Sequence, residues 1–167
     1  SRLPLTLACA PYDRSLPLFD GRVQAEGIDL NVLLLRYEDT FWRMLRHQEF
    51  DVSEMSLSSY LISKEEGPDF VALPVFLSRV FRHSSIYINT SAGIDQASDL
   101  KGKRVGVPEY QITAALWIRG ILQHEYGVPP EDMTWLSGGL DEPGRIEKLD
   151  LNLPAGVSLT LIPEDKT

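Results

Sequence analysis

Ile28-Asp29-Leu30-Asn31-Val32-Leu33-Leu34-Leu35 opens by alternating apolar and polar residues and closes wholly apolar. Alternation of period two predicts a strand with one buried face, and an uninterrupted apolar end predicts burial on both faces, as in a parallel sheet covered by helices. Upstream, Leu3 to Ala10 reads as a second buried strand, ended by Pro11 and the polar group Tyr12-Asp13-Arg14. A short helix or turn carrying Leu16, Leu18 and Phe19 follows, and Asp20-Gly21 and Glu26-Gly27 bracket the connection. Downstream, Glu38 and Asp39 open a segment in which Phe41, Trp42, Met44 and Leu45 keep helical spacing, with Arg43, Arg46 and His47 placed later. Acids first and bases last suit the helix dipole, so a helix is predicted over about 39–48.

The same alternation of elements continues. Phe50 to Met55 reads as a short strand, and Ser56-Leu57-Ser58-Ser59 offers hydroxyl caps for a helix running to Glu66, with Gly67-Pro68 as its stop. Phe70 to Phe76, Ser85 to Asn89 and Arg104 to Val107 read as strands, the last closed by Pro108. Ala115, Leu116, Ile118, Ile121 and Leu122 line a helix over 112–126 that stops at Gly127. Beyond it the pattern is less regular, with strands expected at Met133 to Leu136 and Val157 to Ile162 around a Ser137-Gly138-Gly139 loop. Strand and helix alternating in this way predict an α/β protein with a largely parallel sheet. The extended stretch 77–92 is the expected crossing between two lobes, giving residues 1–92 as lobe one with its crossing strand and 93–167 as a partial lobe two.

The 167 residues carry 16 Lys and Arg against 24 Asp and Glu, a formal charge of −8. That sign argues against nucleic acid or an anionic membrane surface as the main partner. No apolar run approaches the roughly 18 residues needed to cross a bilayer, so membrane insertion is not expected. The single cysteine, Cys9, rules out an intrachain disulfide and reads as a small buried hydrophobe. No charged-then-apolar signal segment opens the sequence, so a cytoplasmic location is expected unless a signal peptide has been removed, which would make it periplasmic.

In open α/β sheets a ligand sits beyond the carboxyl ends of the strands, where loops meet helix amino termini. Four polar clusters follow strands. They are Tyr12-Asp13-Arg14; Ser53-Glu54-Met55-Ser56 with Ser58, Ser59 and Tyr60; Pro108-Glu109-Tyr110-Gln111 with Thr113; and Arg79 to Ser85, with Arg82 and His83 at the presumed crossing. Arginine outnumbers lysine 11 to 5, and Arg14, Arg43, Arg79 and Arg82 lie in or beside these clusters. A guanidinium fork holds a carboxylate through two parallel bonds, so the set suits a small carboxylated, aromatic ligand. The competing reading of each arginine is a surface salt bridge in an acidic protein.

His83 alone among the three histidines lies in a polar cluster, where it can move a proton near neutral pH or serve as a hydrogen-bonded structural residue. His47 and His124 are placed on helices facing solvent, and the three match no short metal motif. Glu54 and Glu109 are acids in apolar neighbourhoods, with capping or salt-bridge roles as the competing reading. G-x-S-x-G, P-loop, G-x-G-x-x-G and Cys-His nucleophile patterns are absent, which lowers acyl transfer, nucleotide hydrolysis and nicotinamide chemistry.

The same clusters carry a resemblance. The blocks Cys9-Ala10-Pro11-Tyr12-Asp13-Arg14, Glu26-Gly27-Ile28-Asp29-Leu30, Phe41-Trp42-Arg43-Met44-Leu45, Glu49 to Ser56, Phe81 to Tyr87 and Gly106 to Ala114, with Trp117-Ile118-Arg119-Gly120, resemble the 4,5-dihydroxyphthalate decarboxylase family, which is itself similar to the type II periplasmic binding proteins of ABC importers. The resemblance implies a two-lobe fold with the ligand in the cleft between lobes. Members are about twice this length, which implies a missing carboxyl half completing lobe two.

The activity so implied is non-oxidative decarboxylation of a dihydroxylated aromatic dicarboxylate to a protocatechuate-type product. For that chemistry the catalytic candidates are His83 and Glu54, and the substrate-binding candidates are Tyr12, Asp13, Arg14, Arg43, Ser56, Ser59, Arg82, Tyr110, Gln111 and Thr113. No organic cofactor is expected and a divalent metal stays open. The alternative is a non-catalytic solute-binding protein handing a small aromatic or heterocyclic acid to an ABC permease, and a homo-oligomer is open in either case.

Overall fold

The computed structural model describes residues 1–66 and 69–167, and the chain divides into two compact units, Ser1–Arg79 and Val80–Thr167. The division precedes the boundary at residue 92 expected from the sequence. The Gly67-Pro68 helix stop lies outside the described residues.

Unit one is built on three parallel strands in the order β2-β1-β3, with β1 at Leu3–Cys9, β2 at Ile28–Leu34 and β3 at Val52–Ser53. Leu3 pairs with Ile28 and Cys9 with Leu34, while Leu7 and Ala8 pair with Val52 and Ser53. A central strand flanked on both edges must bury its two faces, and β1 does so toward its carboxyl end, where Ala8 and Cys9 have essentially no exposure. Parallel neighbours need a crossover. The first carries the single-turn α1 (Leu16–Phe19) and the second carries α2 (Tyr37–His47). α2 has Glu38 and Asp39 in its first turn and Arg46 and His47 in its last, and closes on Gln48 in the left-handed region, whose N–H donates to the Met44 carbonyl. Met44 of this helix packs with Ala8 and Phe50, and Leu33, Leu35, Met55 and Phe70 close over them. α3 (Leu57–Glu66) follows β3.

Unit two repeats the principle with β4 (Arg104–Val107), β5 (Thr134–Ser137) and β6 (Ser158–Leu161), all parallel in the order β4-β5-β6. α4 (Thr113–Tyr126) is the crossover from β4 to β5. Gly127 ends it in the left-handed conformation that glycine adopts without a Cβ penalty, its N–H returning to Gln123 and Leu122. Leu100, Tyr110, Leu122, Val128, Met133 and Trp135 form the core.

Two sequence expectations are corrected. Phe70 to Phe76 and Ser85 to Asn89 are not strands; the second region begins with a single 3-10 turn at His83–Ser85. Their apolar side chains are not laid against a sheet, for Val71 and Tyr87 are each at least 85% exposed. Alternation forms a strand only where the segment pairs with a neighbour and buries one face. The other predicted elements form, with ends within a few residues of those expected, and β3 is shorter than the run from Phe50 to Met55.

Candidate functional site

The carboxyl ends of β1 and β3 lie side by side because Ala8 pairs with Ser53, and the Glu54 N–H continues the ladder by donating to the Ala8 carbonyl at 2.8 Å. That register sets the Glu54 side chain beside the turn that leaves β1. One carboxylate oxygen accepts the Ala10 N–H at 3.1 Å and the other accepts the Tyr12 hydroxyl at 2.7 Å. Ser15, itself buried, ties the turn: its Oγ donates to the Ala10 carbonyl and accepts the Tyr12 N–H, both at 3.0 Å. The Arg14 guanidinium lies 4.7 Å from the Tyr12 ring centroid, donates to the Leu77 carbonyl and pairs with Asp13 at 2.8 Å. Tyr12, Asp13, Arg14 and Glu54 are therefore one constellation.

Burial and the Glu54 carboxylate push the Tyr12 phenol well above its ordinary range, because a phenolate there would be poorly solvated and beside a second negative charge. The phenol is thus a hydrogen donor at any ordinary pH. Burial likewise pushes the Cys9 thiol up, which leaves it an inert occupant of the strand.

The remaining candidates of unit one sit apart from this carboxylate in their bonding. Arg43 forms an ion pair with Glu49 and covers the Phe50 ring at 4.8 Å. Ser56 and Ser59 are buried, and Ser56 shares a 2.9 Å hydroxyl contact with Ser58 at the start of α3.

In unit two, Arg82 precedes the His83–Ser85 turn, and the half-exposed His83 imidazole lies 3.7 Å from the Glu125 carboxylate. Thr113 opens α4. Tyr110 is buried in the core, edge-on to Trp135 at 5.5 Å and with the Arg119 guanidinium 3.6 Å above its ring centre. Gln111 is buried and donates to Glu109 at 3.0 Å.

Glu109 anchors a cluster that sequence reasoning missed. It has no exposed surface, and a single oxygen of it receives Arg145 at 2.9 Å and Lys148. Glu147, between those two cations in sequence, accepts the Ser137 hydroxyl at 2.6 Å and the Tyr110 N–H on one oxygen. Its other oxygen is buried and unpartnered among the described residues. Burial pushes the Arg119 guanidinium down from its ordinary range, opposed by Tyr110 and Glu147. Only the charged run Arg145-Ile146-Glu147-Lys148 hints at this in the sequence, and without periodicity such a run reads as a solvated loop.

Among the described residues no three His, Cys, Asp or Glu side chains gather as a metal-ligand set, and no helix is long and apolar enough to cross a membrane.

No protein-family model matches the chain. Two curated proteins do. A 4,5-dihydroxyphthalate decarboxylase of Comamonas testosteroni is 49% identical over the whole of this chain, and one of Pseudomonas putida is 47% identical over the same span. Over its whole length the chain is thus similar to 4,5-dihydroxyphthalate decarboxylases. It spans about half (51%) of the length of the first relative and 65% of the second.

Proposed function

We propose that the protein to which this chain belongs decarboxylates a dihydroxylated aromatic dicarboxylate of the 4,5-dihydroxyphthalate type, as a cytoplasmic carboxy-lyase of aromatic catabolism. The observation that carries the reading is near-half identity, over an alignment that spans the whole chain, to two proteins with that named activity. The two α/β units are, in this reading, lobes of a type II periplasmic-binding-protein-like fold, and the chain is one piece of a longer parent.

Glu54 is the base. It takes the proton from the ring hydroxyl para to the departing carboxylate, and the resulting phenolate pushes its electron pair into the ring. The ring carbon bearing that carboxylate takes a proton, for which His83 is the proposed donor. The bond to the carboxylate then breaks, its electron pair restores the aromatic ring, and carbon dioxide leaves. Arg14, Arg43 and Arg82 are proposed as carboxylate partners, because a planar guanidinium matches a carboxylate bidentately. The hydroxyl supplies the electrons, so the route needs no organic cofactor.

The test is incubation of the full-length parent with 4,5-dihydroxyphthalate, following protocatechuate by chromatography with and without added divalent cation. Many product molecules per protein in either arm are expected. Saturable binding with no product in both arms overturns the reading.

A further inference from the structure

We propose that Tyr12 is a positioning residue that holds Glu54 in place for proton transfer, rather than a ligand for the substrate's carboxylates. The proposal rests on the decarboxylase reading for its catalytic meaning, and on hydrogen-bond geometry for its content.

A tyrosine hydroxyl has one proton to give. In Tyr12 that proton is committed to Glu54 at 2.7 Å. A substrate carboxylate approaching Tyr12 would need a donor that is already spent.

Glu54 is held at both ends of its carboxylate, by the Ala10 N–H on one oxygen and by Tyr12 on the other. A carboxylate offers about four acceptor positions, so two donors fix its plane while leaving room for an incoming ring hydroxyl. The Tyr12 ring is in turn held by the Arg14 guanidinium on its face and by the Ser15 bridge at its backbone. Proton transfer requires the base within hydrogen-bond reach of the proton it takes, so fixing the carboxylate plane acts on the chemical step and leaves ground-state binding almost untouched.

The experiment uses the full-length parent in wild-type, Tyr12→Phe and Glu54→Gln forms. With 4,5-dihydroxyphthalate as substrate, Tyr12→Phe is expected to lower kcat about tenfold or more with KM within about twofold. A large rise in KM with kcat unchanged would make Tyr12 a substrate ligand and overturn the proposal.

A second readout needs no turnover. With carbon-13 at the tyrosine ring carbon that bears the hydroxyl, the Tyr12 resonance at neutral pH should move in Glu54→Gln relative to wild type, since the carboxylate that accepts its proton is gone. An unmoved resonance overturns the coupling whatever the kinetics show. A parent that shows the resonance change without turnover would instead leave the coupling standing and refute the decarboxylase reading.

Discussion

Glu109 carries a charge in a place with no exposed surface, met by Lys148 and Arg145 on one oxygen and by Gln111 on the other. Such an arrangement gains little over an apolar replacement of the whole group, but removing one partner strands the others. Glu109→Gln keeps the shape and leaves two cations without their carboxylate, so unit two should lose about 3 kcal/mol. Arg145 is only partly buried and water will recover some of that cost, which places the value at the low end of the range for buried pairs. Denaturant unfolding of the parent measures it; a midpoint unchanged from wild type would mean the cluster contributes nothing to the fold. Glu54 faces a different environment. Its donors among the described residues are a backbone amide and a phenol rather than cations, which suits the proposed role of a base better than that of a salt-bridge partner.

The connection between β5 and β6 shows how an irregular element can be fixed as firmly as a helix. A Cβ added at Gly139 would fall on the Glu142 carbonyl, and one at Gly138 would meet the Ile162 side chain at 2.8 Å. Backbone cannot yield as a flexible side chain does, so Gly139→Ala should force the loop outward, separate Arg145 and Lys148 from Glu109, and cost about 2 kcal/mol in a denaturant titration of the parent. Full wild-type stability in that variant would show that the loop is not packed as described. This loop was also where the sequence was least legible. β1, β2, α2 and α4 could be read because their apolar residues recur at the period of the element and their ends carry charge or glycine signals, Gly127 being the clearest. The contacts of Glu109 with Arg145 and Lys148 join residues 36 and 39 positions apart across a stretch with no period, so no local pattern announces them. Phe70 to Phe76 failed for the opposite reason: the pattern was present, but the segment joins neither edge of the β2-β1-β3 sheet, and alternation without pairing does not make a strand.

At the scale of the molecule, both units present the same solution, three parallel strands with candidate site residues in loops that leave their carboxyl ends. Within the candidate site, the sequence showed which clusters lie at strand ends but not how they divide. Tyr12, Asp13, Arg14 and Glu54 meet because β1 and β3 are neighbours in the sheet though 44 residues separate Ala10 from Glu54. Tyr110 and Gln111, offered by the sequence as substrate-binding candidates, are buried, the first against Trp135 and the second against Glu109. The account of function rests on the unit-one carboxylate doing the chemistry in a parent whose relatives are named decarboxylases. The direct test is the initial rate of protocatechuate formation from 4,5-dihydroxyphthalate by the full-length parent and its Glu54→Gln variant, compared at saturating substrate with both proteins shown to be folded. Loss of the base should lower kcat by at least about 100-fold; a variant that turns over at the wild-type rate would contradict the assignment.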